Sequence, residues 1–130
     1  MNQADQNSNL DTVLAFYRLG LEGKNPRKAF ELYVSPEMVE HKPDVEHGTR
    51  EATITYLENL IQHLPDCKWE LIRTISEGDM VVLHARFIPA PGAPAYAVAD
   101  IFRLADGKIV EHWDVIGQPP SQQLNPNPRF

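Results

Sequence analysis

A carboxylate interrupts an apolar row in the last third of the chain. If Tyr96 to Leu104 forms a strand, alternate residues share one face, and Asp100 lies in the middle of that face. The other members of the row are Tyr96, Val98, Phe102 and Leu104. Burying an unpaired carboxylate is costly, so Asp100 must have hydrogen-bonding partners, titrate anomalously or face a hydrated cavity.

The partners of Asp100 depend on how the chain turns back after this strand. Residues 105–108 read Ala-Asp-Gly-Lys, which is typical of a three-residue loop with a glycine bulge. In that register Asp100 lies opposite His112, and Asp114 shares the same face. A two-residue loop would instead pair Asp100 with Trp113 and turn the other two side chains to the reverse face. We expect the three-residue loop.

A histidine between two carboxylates on an apolar surface can transfer protons, because its neighbours push the acid and base affinities in opposite directions. Asp100, His112 and Asp114 are therefore candidate catalytic residues. The alternative is that Asp100 and His112 form a buried cross-strand pair that fixes the register and takes no part in catalysis.

His41 is a further candidate on a different segment. It lies between the second and third predicted helices, where a short extended stretch is suited to cover one mouth of a sheet-lined pocket. With His112, Asp100 and Asp114 it supplies the donor types of a metal site, but no local ligand spacing supports one, so no metal is expected. The chain has no phosphate-binding glycine loop or dinucleotide fingerprint, so no cofactor is expected.

Apolar residues at helical spacing predict three helices before residue 66. The first follows Asn9 as its N-cap, the second opens at Asn25-Pro26, where Pro occupies the first helical position, and the third begins near Gly48-Thr49. The second is expected to end at Ser35-Pro36, and Pro65 ends the third pattern.

After Pro65 the apolar period changes to two, which predicts two β-hairpins. In the first, a three-residue loop at 77–79 would pair Glu70 with Arg86. The second joins 96–104 to 108–118. Helices followed by antiparallel strands predict an α+β domain.

The amino-acid composition argues against two classes of binding partner, nucleic acids and membranes. The chain has 130 residues, and 12 Lys and Arg against 18 Asp and Glu give a formal charge of −6. This acidic balance argues against nucleic-acid binding. No apolar run has the length of a membrane span or the character of a secretory signal, so we expect no membrane association and a cytoplasmic location.

The last hairpin carries a family resemblance. It reads Ala-Asp-Ile-Phe-Arg-Leu over 99–104 and Asp-Gly-Lys-Ile-Val-Glu-His-Trp-Asp-Val over 106–115. With three helices before two hairpins, the chain resembles the SnoaL-like branch of the nuclear transport factor 2-like superfamily over nearly its whole length. The resemblance implies one domain over residues 1–118, in which three N-terminal helices pack over the concave face of a cone-shaped, curved antiparallel sheet and enclose a pocket. Residues 119–130 would form a Pro-, Asn- and Gln-rich tail.

The resemblance also implies chemistry. In SnoaL-type polyketide cyclases an aspartate near the end of the last hairpin removes a proton from carbon during an intramolecular aldol closure, without cofactor or metal. Asp114 matches that position, and Asp100 matches a second cavity-facing polar position where the cyclases commonly carry histidine. His112 or a protonated Asp100 would then donate toward the enolate oxygen. His41-Lys42-Pro43 resembles a His-Asn-Pro segment of the family apart from its lysine, which adds His41 to the catalytic candidates.

Three functions remain compatible with this sequence, because a shared fold does not determine activity. The first is cofactor-free acid–base chemistry on an apolar carbonyl compound, as an aldol-type cyclase, isomerase or lyase. The second is binding of a small apolar molecule in the pocket without catalysis. The third is an interaction module that forms a homodimer through an exposed sheet face carrying Ile109, Trp113 and Val115.

Overall fold

The helices precede the strands along the chain, except that one strand, Val34–Glu40, lies between the second and third helices. The computed structural model describes all residues from Met1 to Phe130. Its regular elements are α1 (Gln3–Tyr17), α2 (Pro26–Tyr33), β1 (Val34–Glu40), α3 (Arg50–His63), β2 (Lys68–Glu77), β3 (Met80–Ile88), β4 (Tyr96–Ala105) and β5 (Lys108–Gly117). A π-helical turn, Arg18–Glu22, follows α1, and a 3-10 turn, Glu46–Gly48, precedes α3. The predicted α+β class is confirmed. None of the helices combines the length and apolar character needed to cross a bilayer.

Side-chain caps start α2 and α3 at the predicted places. The backbone N–H of Lys28 donates to the side chain of Asn25 (3.4 Å), and that of Ala52 donates to the hydroxyl of Thr49 (3.2 Å). These caps satisfy donors that the first helical turn leaves unpaired.

The first helix begins earlier than predicted. Asn2, rather than Asn9, is the N-cap, because its side chain accepts from the backbone N–H of Asp5 (2.9 Å). Asn9 lies inside the helix and is buried. The prediction followed the first apolar residue, Leu10, whereas a capped helix can begin with a polar turn.

The sheet is mixed, with the strand order β1-β5-β4-β3-β2. Strand β1 runs parallel to β5, and the other neighbours are antiparallel. Strand β1 was not predicted, because Ser35-Pro36 in the sequence indicated only the end of α2. An edge strand tolerates proline because it has one side free of a partner. Along β1 burial alternates, with Met38 and Glu40 buried and Val39 exposed between them.

Each hairpin combines a two-residue turn with a bulge, so both predicted three-residue loops are wrong. In the first hairpin Glu77 pairs with Met80, and the register shifts at Ile72. The bulge restores the predicted pairing of Glu70 with Arg86, whose side chains form an ion pair at 3.2 Å.

In the second hairpin Ala105 pairs with Lys108, and both turn residues have positive φ, 51° for Asp106 and 76° for Gly107. Such a turn suits the right-handed twist of the strands. The register then shifts at Val110, so that Asp100 lies opposite Asp114.

That register differs from the predicted one, but Asp100, His112 and Asp114 still share a face. His112 lies opposite Phe102. The bulge inserts one extra residue into β5 after the two-residue turn. This extra residue reverses the facing of all later β5 side chains. Ile109 precedes the bulge and is 1% exposed in the core. Its assignment to the exposed face is therefore corrected, whereas Val115 is exposed there.

One core joins the helices to the inner face of the sheet. It consists of Val13, Phe16, Tyr17, Leu21, Ala29, Phe30, Val34, Met38, Ile54, Val81, Leu83, Ala85, Phe102, Leu104 and Ile109. Phe16 of α1 meets Phe30 of α2 and Phe102 of β4 edge-on, at centroid distances of 5.1 and 5.8 Å. This aromatic contact holds the helices over β4, the strand that carries Asp100.

A glycine lets the turn before α3 pack against β1. Gly48 has φ +63°, and a Cβ there would lie 2.6 Å from the carbonyl oxygen of Glu40. We expect Gly48→Ala to lower the free energy of unfolding by clearly more than Gly92→Ala. Gly92 also has positive φ (+79°), but its Cβ would meet open space, so that variant should lose only about 1–2 kcal/mol from backbone strain. Urea unfolding of both variants measures the difference. Equal losses would mean that the turn relieves the contact without moving β1.

Candidate active site

A cavity of about 500 Å³ lies between the helices and the inner face of the sheet. This volume is typical of small-molecule sites. Its walls are mostly apolar and include Phe16, Phe30, Leu57, Trp69, Tyr96 and Phe102. The polar lining is concentrated on β1, β4, β5 and the segment after β1, and its charged members are Glu40, Lys42, Asp44, Asp100, His112 and Asp114.

His112 bridges two buried carboxylates on the strands either side of β5. Its Nε2 lies 2.9 Å from Oδ1 of Asp100, and its Nδ1 lies 2.7 and 2.9 Å from the carboxylate oxygens of Glu40. The side chains of Asp100 and Glu40 are 9% and 2% exposed. A neutral imidazole carries one N–H, whereas an imidazolium can donate to both acceptors at once.

This bridge holds His112 in its charged form. Burial by itself lowers the pKa of His112, but the hydrogen bonds and charges of Asp100 and Glu40 outweigh burial and raise the pKa to about 10. Both ring nitrogens are therefore occupied as donors near neutral pH. The expected role of His112 as a donor toward substrate has no free N–H to carry it in this arrangement, and Asp100 acts as an acceptor.

A second ion pair lies beside the first. Nζ of Lys42 is 3.0 Å from Oδ2 of Asp114 and 3.6 Å from a carboxylate oxygen of Asp44. The side chains of Lys42 and Asp114 are 13% and 11% exposed. Burial favours the neutral amine, but the hydrogen bond and charge of Asp114 prevail and raise the pKa of Lys42. The segment is anchored at Glu40, whose carboxylate accepts the backbone N–H of Lys42 (3.1 Å).

These two ion pairs explain how Asp100 and Asp114 can lie directly opposite each other on β4 and β5. Like charges in that position repel. Here each carboxylate has its own cation, His112 for Asp100 and Lys42 for Asp114. Asp114 lines the cavity and accepts no hydrogen bond from the chain other than that of Lys42, which engages Oδ2 and leaves Oδ1 without a donor from the chain.

The structure brings three of the four sequence-predicted residues together and places His41 elsewhere. His41 is stacked flat on Trp113 at 4.7 Å, and its Nε2 lies 2.6 Å from Glu111, which also binds Arg103 (2.8 Å). His41 is not among the residues that line the cavity. The alternation along the chain explains this, because Glu40 and Lys42 point inward on either side of it.

Glu40 and Lys42 are the site residues that the sequence analysis missed. A signal for them exists, since Met38, Glu40 and Lys42 alternate with Val39 and His41. Because no strand was predicted before residue 41, neither set of alternating residues could be assigned to the inner face of the sheet.

Two tyrosines border the polar cluster. Tyr17 is fully buried, its hydroxyl has no hydrogen-bond partner in the chain, and burial together with the charge of Asp100 raises its pKa. Tyr56 of α3 lines the cavity, and Lys42 Nζ lies 5.7 Å from its ring centroid. A cation over an aromatic face is favourably placed.

Comparisons with known proteins agree with this architecture. A sequence profile of the SnoaL-like domain matches residues 13–112. Among solved structures, a candidate SnoaL-like polyketide cyclase from Jannaschia sp. CCS1 is 22% identical over 89% of this chain and 90% of that chain, with a TM-score of 0.72. AclR, a candidate hydroxylase from Streptomyces galilaeus, is 21% identical over 86% of this chain and 90% of that one, with a TM-score of 0.72.

An NTF2-like protein of unknown function from Mesorhizobium loti is 17% identical over 91% of this chain and 98% of that one, with a TM-score of 0.73. No curated relative matches the sequence. At these identities the solved structures show a common fold, and their different names illustrate that this fold does not specify one reaction.

The raised pKa of His112 predicts a pH-dependent stability. Folding raises this pKa from 6.5 to about 10, so the stabilisation is complete below pH 6.5 and is lost as the pH rises toward 10. We expect the free energy of unfolding to fall by a few kcal/mol across that range. Urea titrations at a series of pH values measure this fall.

Two variants separate this effect from other titrations. Glu40→Gln removes one of the carboxylates that hold the proton and so lowers the folded-state pKa of His112, so the fall should still begin near pH 6.5 but should end at a lower pH and be smaller. His47→Gln changes a histidine whose side chain is 77% exposed, so the wild-type profile should persist. An unchanged profile in Glu40→Gln would contradict the assignment to His112.

Proposed function

This chain belongs to the SnoaL-like domain family, and we propose that its cavity carries out cofactor-free acid–base chemistry on a small, uncharged carbonyl compound. Aldol-type cyclisation, isomerisation and lyase chemistry all begin with removal of a proton from carbon beside a carbonyl group. Asp114 is the general base, and the observation that carries the proposal is its position in a mostly apolar cavity with Oδ1 free of any hydrogen bond from the chain.

The surroundings of Asp114 suit that role. A base held in an apolar pocket is close to its substrate and is shielded from competing water. Asp100 lies opposite on β4 but is engaged by His112, so it is less available to take a proton. Asp100, His112 and Glu40 act as positioning residues that hold β4, β5 and β1 in register around the base.

The charge balance of the cluster favours an uncharged substrate. Three enclosed carboxylates, Glu40, Asp100 and Asp114, face two cations, His112 and Lys42. Such a cluster has no surplus positive charge to bind a carboxylate or phosphate group. The aromatic and aliphatic walls are suited to the hydrocarbon part of a ligand.

The chemistry can be tested without knowing the natural substrate. In D2O the α-protons of 2-tetralone, a bicyclic ketone, exchange by enolisation, and proton NMR follows the loss of signal. We expect the wild-type protein to accelerate this exchange above the buffer rate. Asp114→Asn should reduce the acceleration by about a hundredfold or more, since general-base catalysis contributes that much.

The matched control is Asp11→Asn, the same substitution on the exposed surface of α1, which should leave the exchange rate unchanged. Broadening of the ligand's NMR lines shows whether the wild-type protein binds 2-tetralone. If the protein binds this ketone but does not speed up its exchange, the result favours non-catalytic binding of an apolar molecule over catalysis. Equal exchange rates in the wild type and Asp114→Asn would remove Asp114 as the base.

The outer face of the sheet favours a second, compatible function as the interface of a homodimer. Ile75 and Val115 are 61% and 63% exposed there, and Trp113, which stacks on His41, lies two positions before Val115 on β5. Apolar side chains along a sheet face that no helix covers are typical of association surfaces.

This second function predicts a dimer that a single charge disrupts. The wild-type protein should sediment as a dimer in analytical ultracentrifugation, and Val115→Glu should shift it to a monomer, because an interface disfavours an unpaired charge. Asp106→Glu, at the exposed turn, is the control and should not change the mass. A monomeric wild type would contradict this function and leave the cavity chemistry untouched.

A further inference from the structure

Lys42 is a partly buried cation, with its side chain 13% exposed, that the general-base mechanism does not use. Its ammonium group has three N–H donors, of which one reaches Asp114 at 3.0 Å. A second contact, to Asp44, is longer at 3.6 Å, and the Asp44 side chain is 66% exposed. Lys42 lines the cavity, and with a single hydrogen bond its ammonium group has donor capacity left for a ligand.

The position of Lys42 is set by the same cluster that holds His112. The carboxylate of Glu40 accepts the backbone N–H of Lys42 and also binds Nδ1 of His112. The ring of Tyr56 lies under the ammonium group from the α3 side. These contacts place the cation in advance of any ligand, as catalysis by charge stabilisation requires.

The ion pair with Asp114 places an acceptor and a donor side by side. A carbonyl compound presents a C–H bond and, two bonds away, the oxygen on which charge develops when that bond breaks. We propose that Lys42 is a catalytic residue that binds this oxygen, so that Asp114 takes the proton while Lys42 stabilises the enolate. This proposal rests on the proposed function and assigns the donor that His112 cannot supply.

The electron balance explains why the pair is suited to this step. The Cα–H bond breaks and its proton goes to Oδ1 of Asp114. The electrons of that bond form the C=C bond, and the carbonyl π pair moves to oxygen. Asp114 becomes neutral as the enolate becomes negative, so Lys42 exchanges one anionic partner for another. Its interaction with the substrate therefore strengthens in the transition state, which is the condition for a rate increase.

The same contacts argue against Lys42 as a nucleophile. An amine must lose its proton before it can form an imine, and the ion pair with Asp114 keeps this lysine protonated. Borohydride treatment in the presence of 2-tetralone should therefore leave no covalent adduct on the protein. An adduct at Lys42 would overturn the proposal.

An enolate mimic tests oxyanion binding separately from catalysis. 2-Naphthol is an aromatic hydroxyl compound whose neutral and ionised forms differ in absorption and fluorescence. Bound beside a cation, it should ionise more readily than in water. Spectroscopic titration yields the dissociation constant of each form for the wild type and its variants.

Asp114→Asn and Lys42→Met should change naphtholate binding in opposite directions. Asp114→Asn leaves the ammonium without its main counter-ion, so naphtholate should bind more tightly although exchange of 2-tetralone is lost. Adding Lys42→Met to Asp114→Asn should weaken naphtholate binding by about tenfold to a hundredfold relative to Asp114→Asn alone, as expected for a hydrogen bond to a charged group. The affinity for neutral naphthol should change little between these variants. The control, Lys28→Met on the exposed surface of α2, should match its parent.

The outcomes separate this proposal from the function on which it rests. If Asp114→Asn loses exchange but the added Lys42→Met leaves naphtholate affinity unchanged, the proposed function stands and Lys42 is not the oxyanion donor. If the wild type shows no exchange but naphtholate binding depends on Lys42, the donor exists and the base chemistry fails. If Lys42 has only a structural role, adding Lys42→Met should weaken the binding of neutral and ionised naphthol equally. This result would also overturn the proposal.

Discussion

A protonated histidine between two buried carboxylates is the interaction on which the polar half of this molecule depends. His112 of β5 binds Asp100 of β4 at one ring nitrogen and Glu40 of β1 at the other, so a single imidazolium links three neighbouring strands. Removing one partner of such a group leaves an uncompensated buried charge, which costs far more than the loss of a surface pair. The sheet is therefore held in one register where the cavity meets it.

The bulge in β5 makes that interaction geometrically possible. A two-residue turn by itself would point His112 and Asp114 away from the helices. The extra residue at Val110 reverses the facing, so that Ile109 remains in the core and His112 also points inward three positions later. The bulge thus places Ile109 and His112 on the same face, whereas a regular strand would turn residues three positions apart to opposite faces.

The charged residues of the site form two ion-paired groups that differ in how much hydrogen-bonding capacity remains unused. In the His112 pair both ring nitrogens are engaged, which suits a positioning role. In the Lys42 pair one oxygen of Asp114 and part of the ammonium's donor capacity remain available at the cavity. Separation of this kind gives each of two directly opposed aspartates its own cation, which offsets their repulsion, and leaves Oδ1 of Asp114 without a donor from the chain. The apolar walls supply the binding surface but do not identify the ring system or reaction, and the fold is shared by proteins with different names.

The amino-acid sequence determined the α+β class, the capped starts of α2 and α3, both hairpins and the inward face of β4, because caps, turns and apolar period are local properties. It also brought Asp100, His112 and Asp114 to one face. It did not determine the turn lengths, since a bulge can lie anywhere along a hairpin and changes the register without a local signal. The parallel pairing of β1 with β5 joins residues about seventy positions apart, and only the tertiary structure decided it. That pairing turned His41 outward and brought Glu40 and Lys42 to the aspartates, because the inner face of a strand is defined by what packs against it.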